Sequence, residues 1–373
     1  MATPTTDAPT STTSSSASPS CTTAVPDKYG HVPFDACNSY YNDYPSFEAN
    51  LALAAVFGAS FVAHIVQAIV YKKRFCWVVI MGAAWETAAF SLRTIGAHHQ
   101  QERQYALWGQ ILFLLSPLWI NTFVYMTVAR MVYFGLPDRK IWGVRAIKLT
   151  VLFVWLDVIC FLVQLSGGGL LSNNDNADLT RIGMKIYTAG IGLQLGFVVI
   201  FGVMTAWFYH RMRQVSRGRG MGRLQLLIWV MLAVLMLIMV RIIFRLLEFG
   251  PGINANNKLI TDETYPLVLD AMPMALALWL LNLMHPGLVL RGPDGEFPRV
   301  TRREKKALKH RAKEEKKRRK EAKRLEKIGG KVVYLDDAAR LADETDGDDV
   351  RTTGVGVERR NSSWELGPVH GRV

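Results

Sequence analysis

The sequence predicts an all-α fold: a polytopic membrane protein with seven transmembrane helices. Seven apolar stretches fill the chain between Phe47 and Leu290. Each can cross a hydrocarbon core about 30 Å thick, which takes roughly 20 helical residues. Lys and Arg crowd every second connection, as they do in a chain that crosses a bilayer repeatedly. Whole-chain averages hide this organisation, since 50% hydrophobic residues and a mean hydropathy of +0.13 over 373 residues would also suit a soluble two-domain enzyme.

The spans are read at residues 47–70, 77–97, 106–134, 146–166, 184–208, 224–249 and 265–290. Residues 1–46 form a Thr/Ser-rich tail with no basic n-region or apolar h-region, so the first span is expected to direct its own insertion. Lys72, Lys73 and Arg74 follow span one, Arg139, Lys140, Arg145 and Lys148 follow span three, and Arg211, Arg213, Arg217, Arg219 and Arg223 follow span five. The tail and the other connections hold only Lys28, Arg103, Arg181, Lys185 and Lys258. The positive-inside rule therefore predicts the N-terminus outside and the C-terminus in the cytoplasm.

The net charge of +13 is local in origin, because residues 291–331 contain 18 Lys or Arg against 7 Asp or Glu. This juxtamembrane segment is rich in helix formers but has almost no apolar face, which argues against a packed domain. It reads either as a solvated helix that fixes topology or as a contact with anionic inner-leaflet lipid, and nucleic acid is not the expected partner. Residues 332–373 turn acidic and are expected to be a disordered cytoplasmic tail. Cys21 and Cys37 lie in the outer tail, where a disulfide is open to them. Cys76, beside the Lys72–Arg74 cluster, could carry a lipid or pack as a small side chain, and Cys160 is expected in the core.

Charged groups inside a span are costly and normally face the bundle interior, paired. Glu86 and Arg93 are seven apart in span two, Asp157 and Gln164 seven apart in span four, and Arg241, Arg245 and Glu248 follow i, i+4, i+7 in span six. Each set shares one helix face. Asn121, Gln194 and Asp270 extend the polar set to spans three, five and seven. In the predicted orientation most of these groups lie in the outer half, sketching a cavity open to the outside. Two readings stand: a closed ion-pair network that fixes packing, and a substrate pathway. Pro117 and Pro273 each remove a helical hydrogen bond and predict kinks or gates. Gly167, Gly168 and Gly169 predict a flexible exit from span four, and the glycines between Gly183 and Gly202 predict close helix packing.

Enzyme signatures are weak. His64, His210 and His285 stand singly, no H-E-x-x-H or Walker A motif occurs, and the last span has no Lys to bind retinal. Neither a cofactor, a metal site nor a catalytic residue is expected.

Taken in order, WETAAFSLR from Trp85, LLSPLWINTFVYMTVAR ending at Arg130, DVICFLVQLSGGG from Asp157, GMKIYTAGIGLQ from Gly183, RIIFRLLEFGPG from Arg241 and ETYPLVLDAMPM from Glu263, with His285-Pro286-Gly287, resemble the fungal RTA-like family. These are seven-span lipid-translocating exporter proteins named for resistance to aminocholesterol. One departure is Ala89-Phe90, where the family usually carries Gly-Tyr. The resemblance implies a plasma-membrane or endomembrane protein whose relatives are linked to movement of sphingoid long-chain bases, resistance to toxic amphiphiles and porphyrin uptake. The leading expectation is a translocator of amphiphilic lipids. Glu86, Asp157, Glu248 and Asp270 would receive a substrate amine, with Arg93, Arg241 and Arg245 holding them ionised. The alternative is a seven-span receptor or lipid sensor signalling through its cytoplasmic tail, with Arg130 at the inner end of span three.

Overall fold

The structure is a computed structural model that describes residues 43–171, 177–215, 222–250 and 258–289, with residues 24–28, 30, 32, 40, 41, 307, 310, 311, 313–321 and 324. Cys21, Cys37, most of the N-terminal tail and the acidic C-terminal tail lie outside the described residues. Helices α1 (Phe47–Tyr71), α2 (Trp77–His98), α3 (Arg103–Gly135), α4 (Ala146–Leu171), α5 (Ala177–Val215) and α6 (Gly222–Phe249) make the first six spans. A short α7 (Lys258–Thr261) precedes the seventh, Thr264–Val289, built from α8 (Thr264–Pro266), a π-turn (Leu267–Ala271), α9 (Met272–Leu283) and α10 (Pro286–Val289).

Helix ends follow the local chemistry. Ser46 caps α1, its hydroxyl accepting from Ala49 N, and Lys72 ends it in the left-handed region with φ 52°. All three residues of the Gly167–Gly169 run are helical, so α4 continues to Leu171 instead of loosening there. Its neighbours in the bundle hold it: a Cβ at Gly167 would lie 2.6 Å from Tyr187 N and 2.8 Å from the Gly183 carbonyl of α5. Gly167 thus packs closely where a flexible exit was expected, and the expected glycine packing is found at Gly183 and Gly190. At Gly192, Gly196 and Gly202 nothing lies within 4 Å.

Consecutive helices pack side by side, and α9 touches both α1 and α6, closing the ring. Helix α3 is the most buried span and also reaches α5 and α6 across the middle. The core runs along it through Ile120, Phe123, Val124, Tyr125 and Met131, all fully buried. Outward, α1 exposes Val62, Val66, Ile69 and Val70, α4 exposes Val151, Trp155 and Leu162, and α6 exposes Trp229 and Met236. Such continuous exposed apolar surface suits hydrocarbon, not water. Cys160 is buried as expected, and Cys76 is fully buried with its Sγ 3.3 Å from His285 Nε2, which selects packing over lipidation.

The connection between α3 and α4 adds an element to the all-helical expectation. Lys140–Ile141 and Val144–Arg145 form a two-stranded antiparallel hairpin. Residues 299–373 form a separate unit, whose described part is helical with Glu315–Arg319 and Lys317–Glu321 pairs one turn apart. The two ends of the bundle differ in charge: α1 begins at an acidic end, and the Lys72–Arg74 cluster marks the opposite, basic end.

Candidate functional site

The ten intramembrane polar residues separate into four groups. The central one joins α6 to the seventh span: Asp270 is fully buried, one carboxylate oxygen pairing with Arg241 Nε and the other lying 2.5 Å from Arg245 Nε. Arg245 Nη1 also donates to Glu248 at 3.2 Å. Both guanidinium groups lie near the Phe113 ring of α3, 5.6 Å and 5.2 Å from its centroid, within cation–π range. Glu86 is sealed behind this cluster. It closes no hydrogen bond of ordinary geometry although Ser116 stands beside it, and Arg241, Asp270 and Arg245 act on it electrostatically.

The backbone explains how Asp270 reaches two arginines. Pro273 has no N–H and its ring would crowd the carbonyl four residues earlier, at Leu269. The helix widens instead, with Met272 N–H bonding to the Leu267 carbonyl, five residues back. The kink expected at Pro273 thus takes the form of a π-turn that carries Asp270. In α3, Pro117 likewise releases the Phe113 carbonyl, in the turn that packs against the arginines.

Arg93 belongs to a different group at the acidic end. It donates to Asp43 Oδ2 at 2.7 Å, to Glu263 Oε1 at 3.2 Å and to Asn50 Oδ1 at 3.2 Å. Glu263 also accepts from Ser46 N at 2.6 Å and from Asn50 Nδ2 at 2.7 Å. This cluster ties the tail, α1, α2 and the residue preceding the seventh span. The sequence reading missed Asp43, Asn50 and Glu263. Glu263 stands one residue before an apolar span, and Asn50 lies one turn into α1, so position offered a signal for both. Beside them the Tyr41 phenol is pushed up to about 12 by burial, against the opposing pull of Arg93, and it stays neutral at physiological pH.

The third group is Asp157, which accepts from Tyr125 Oη at 2.9 Å and Asn121 Nδ2 at 3.2 Å. Among the described residues no arginine pairs with it, so it stands outside the closed ion-pair network expected from the sequence. Tyr125 was missed, although it lies one helical turn from Asn121 on the same face. In the fourth group, Gln164 donates to Gln194 at 2.9 Å, joining α4 to α5. Arg130 packs its guanidinium 3.9 Å over the Phe75 ring and donates to the Met126 carbonyl.

Two spaces adjoin three of these groups, and the Asp157 group lines neither. A cavity of about 310 Å³ at the acidic end is lined by Tyr41, Asp43, Arg93, Phe113, Tyr187, Arg245, Glu248 and Phe249 among others. It lies at the lower end of the size range for small-molecule sites. Arg245, Leu114 and Tyr187 also line a deeper cleft of about 30 Å³, which Gln164, Gln194 and Arg241 complete. That cleft is large enough for a water or two. Of the four carboxylates assigned to a substrate amine, only Glu248 faces the cavity. Asp43, from the tail, is the second acid there. Among the described residues, no three or more His, Cys, Asp or Glu converge as metal ligands would.

The family described as "RTA1 like protein" matches residues 79–293. The probable lipid transporter atnI of Emericella nidulans is 39% identical over 308 residues, covering 80% of each chain. The sphingoid long-chain base transporter RSB1 of Saccharomyces cerevisiae is 24% identical over 306 residues, 70% of this chain and 77% of that one. Protein RTM1 of Saccharomyces cerevisiae is 28% identical over 206 residues, 53% of this chain and 63% of that one. No solved structure matches the chain. The family match takes in α2 through the seventh span and every one of the ten intramembrane polar residues, so the chain belongs to the RTA1-like protein family.

Proposed function

We propose that this protein translocates amphiphilic lipids across a membrane, with a headgroup bound in the 310 Å³ cavity and the apolar tail left in the bilayer. The observation that carries the reading is a small cavity within a lipid-embedded bundle, where acids and arginines share one wall with aromatic rings. A 310 Å³ space fits a polar head but not a long acyl chain. The relatives named as a probable lipid transporter and a sphingoid long-chain base transporter support lipid as the cargo.

A sphingoid base is cationic at neutral pH, and Glu248 is the carboxylate available to its amine. Arg245 can release Glu248 and keep a counter-ion, because it also contacts Asp270. Asp270 is therefore a positioning residue that keeps both arginines in place. Asp43 is the second acid within reach. The loop charges support an outside N-terminus, which opens the cavity to the outer leaflet, with the plasma membrane as the location. In this arrangement residues 1–46 are extracellular, residues 291–331 form a basic juxtamembrane segment against anionic inner-leaflet lipid, and residues 332–373 are a cytoplasmic tail.

The test is transfer of a fluorescent sphingoid base across liposomes containing only the purified full-length protein. Glu248→Gln is expected to slow transfer about tenfold, the scale of losing one close charge pair. Wild-type liposomes that move no lipid would refute the reading. Transfer unchanged by Glu248→Gln would remove that residue from the headgroup site.

A further inference from the structure

At the basic end, a third space of about 440 Å³ lies between the α3–α4 hairpin and the end of α5. Its lining includes Lys140, Trp142, Trp207, Arg211 and one acid, Asp138. It shares no residue with the acidic-end cavity. We infer that this groove is a binding site for the headgroup of an anionic phospholipid.

The first support is the hairpin's own geometry. Ile141 pairs with Val144, so Trp142 and Gly143 are the two turn residues, with φ of 47° and 78°. A two-residue turn of this hand favours Asn, Asp or Gly at its first position, and a bulky aromatic is disfavoured there. Packing within the bundle does not compensate, because Trp142 is 53% exposed. An indole held at the end of a membrane span does gain from the lipid headgroup layer, where its apolar ring and polar N–H are both satisfied. Trp207, from α5, supplies a second exposed indole to the same groove.

Charge is the second support. Lys140 and Arg211 are exposed and form no ion pair among the described residues. Arg139, beside Lys140, is committed elsewhere: it stacks 4.3 Å over the Tyr133 ring and donates to the Tyr133 hydroxyl at 2.8 Å. Arg211 donates to the Gln214 amide oxygen at 3.5 Å, a neutral partner that leaves its charge uncompensated, so the groove presents two cations without an ion pair and one acid between two indoles. That pattern complements a phosphodiester with an apolar continuation. A free anion would gain nothing from the apolar rings of the tryptophans. Basic pockets between transmembrane helices bind anionic lipid heads on these terms.

Native mass spectrometry of the purified full-length protein, titrated with phosphatidylserine and with phosphatidylcholine, tests the site. Wild type is expected to prefer phosphatidylserine, and Lys140→Gln with Arg211→Gln to weaken that binding about tenfold or more. Trp142→Asn is expected to weaken binding while keeping or raising the thermal midpoint, since Asn suits the turn. Inorganic phosphate at equal concentration is expected to displace nothing. The inference is overturned if the Lys140/Arg211 double variant binds like wild type, or if Lys317→Gln with Lys320→Gln causes an equal loss, which would mean general charge attraction. Displacement of the lipid by phosphate would also overturn it, in favour of a free-anion site. Lipid transfer in liposomes is a separate readout, so failure here leaves the translocator reading standing.

Discussion

Asp270 and Asp157 are both buried aspartates in membrane spans, yet their neighbours give them opposite weight. Asp270 is shared by Arg241 and Arg245, so Asp270→Asn strips two buried cations of a common counter-ion. Breaking one side of a buried pair costs about 3 to 5 kcal/mol. Asp157 is held by the neutral donors Tyr125 and Asn121. Its replacement by Asn exchanges one hydrogen-bonding group for another, at about 1 kcal/mol. Chemical denaturation of the purified protein in micelles is expected to show that order, and equal losses would contradict the asymmetry. A charge count could not distinguish the two, because formal balance does not reveal which acid meets which base.

Among the elements, the α4–α5 pair tests packing by glycine. Gly167→Ala places a methyl against the Tyr187 backbone, which the helices can absorb only by separating, at a cost of about 1 to 3 kcal/mol. Gly168→Ala, one residue on, meets nothing within 4 Å and is expected to stabilise α4 by about 0.5 to 1 kcal/mol. Thermal midpoints of the two variants should move in opposite directions. The π-turn gives a sharper prediction. Pro273→Ala restores an N–H able to bond the Leu269 carbonyl, and annealing the turn to α-helix rotates Asp270 by about 100°, away from the arginines. Lipid transfer should then fall about as far as in Asp270→Asn, despite an intact carboxylate. Full transfer by Pro273→Ala would show that the widened turn is not needed to position Asp270.

At the scale of the whole molecule, the charge asymmetry of the loops predicts orientation. An epitope placed before Phe47 should be reached by antibody on intact cells, and one after Val373 only after permeabilisation. The reverse pattern would open the 310 Å³ cavity to the cytoplasm and reverse its leaflet. Deleting residues 332–373 should leave lipid transfer unchanged, since the cavity's lining among the described residues falls between Tyr40 and Pro266.

The seven spans were legible in the sequence, to within a few residues at most ends, because hydropathy and helical period are local properties that a bilayer enforces. Where α4 and α5 run further than read, the glycine run at Gly167 looked like an exit but is held by a neighbouring helix. That the polar residues share helix faces was also legible, from spacing alone. Which face meets which was decided by tertiary structure. Arg93 pairs with Asp43 and Glu263, 50 and 170 residues away, and not with Glu86 on its own helix. Asp157 receives a tyrosine instead of an arginine, and three of the four expected substrate carboxylates are turned from the cavity. The physical reason is that insertion into lipid depends on each segment by itself, whereas an ion pair depends on how two helices are rotated and offset against each other. Only the packed bundle sets that geometry.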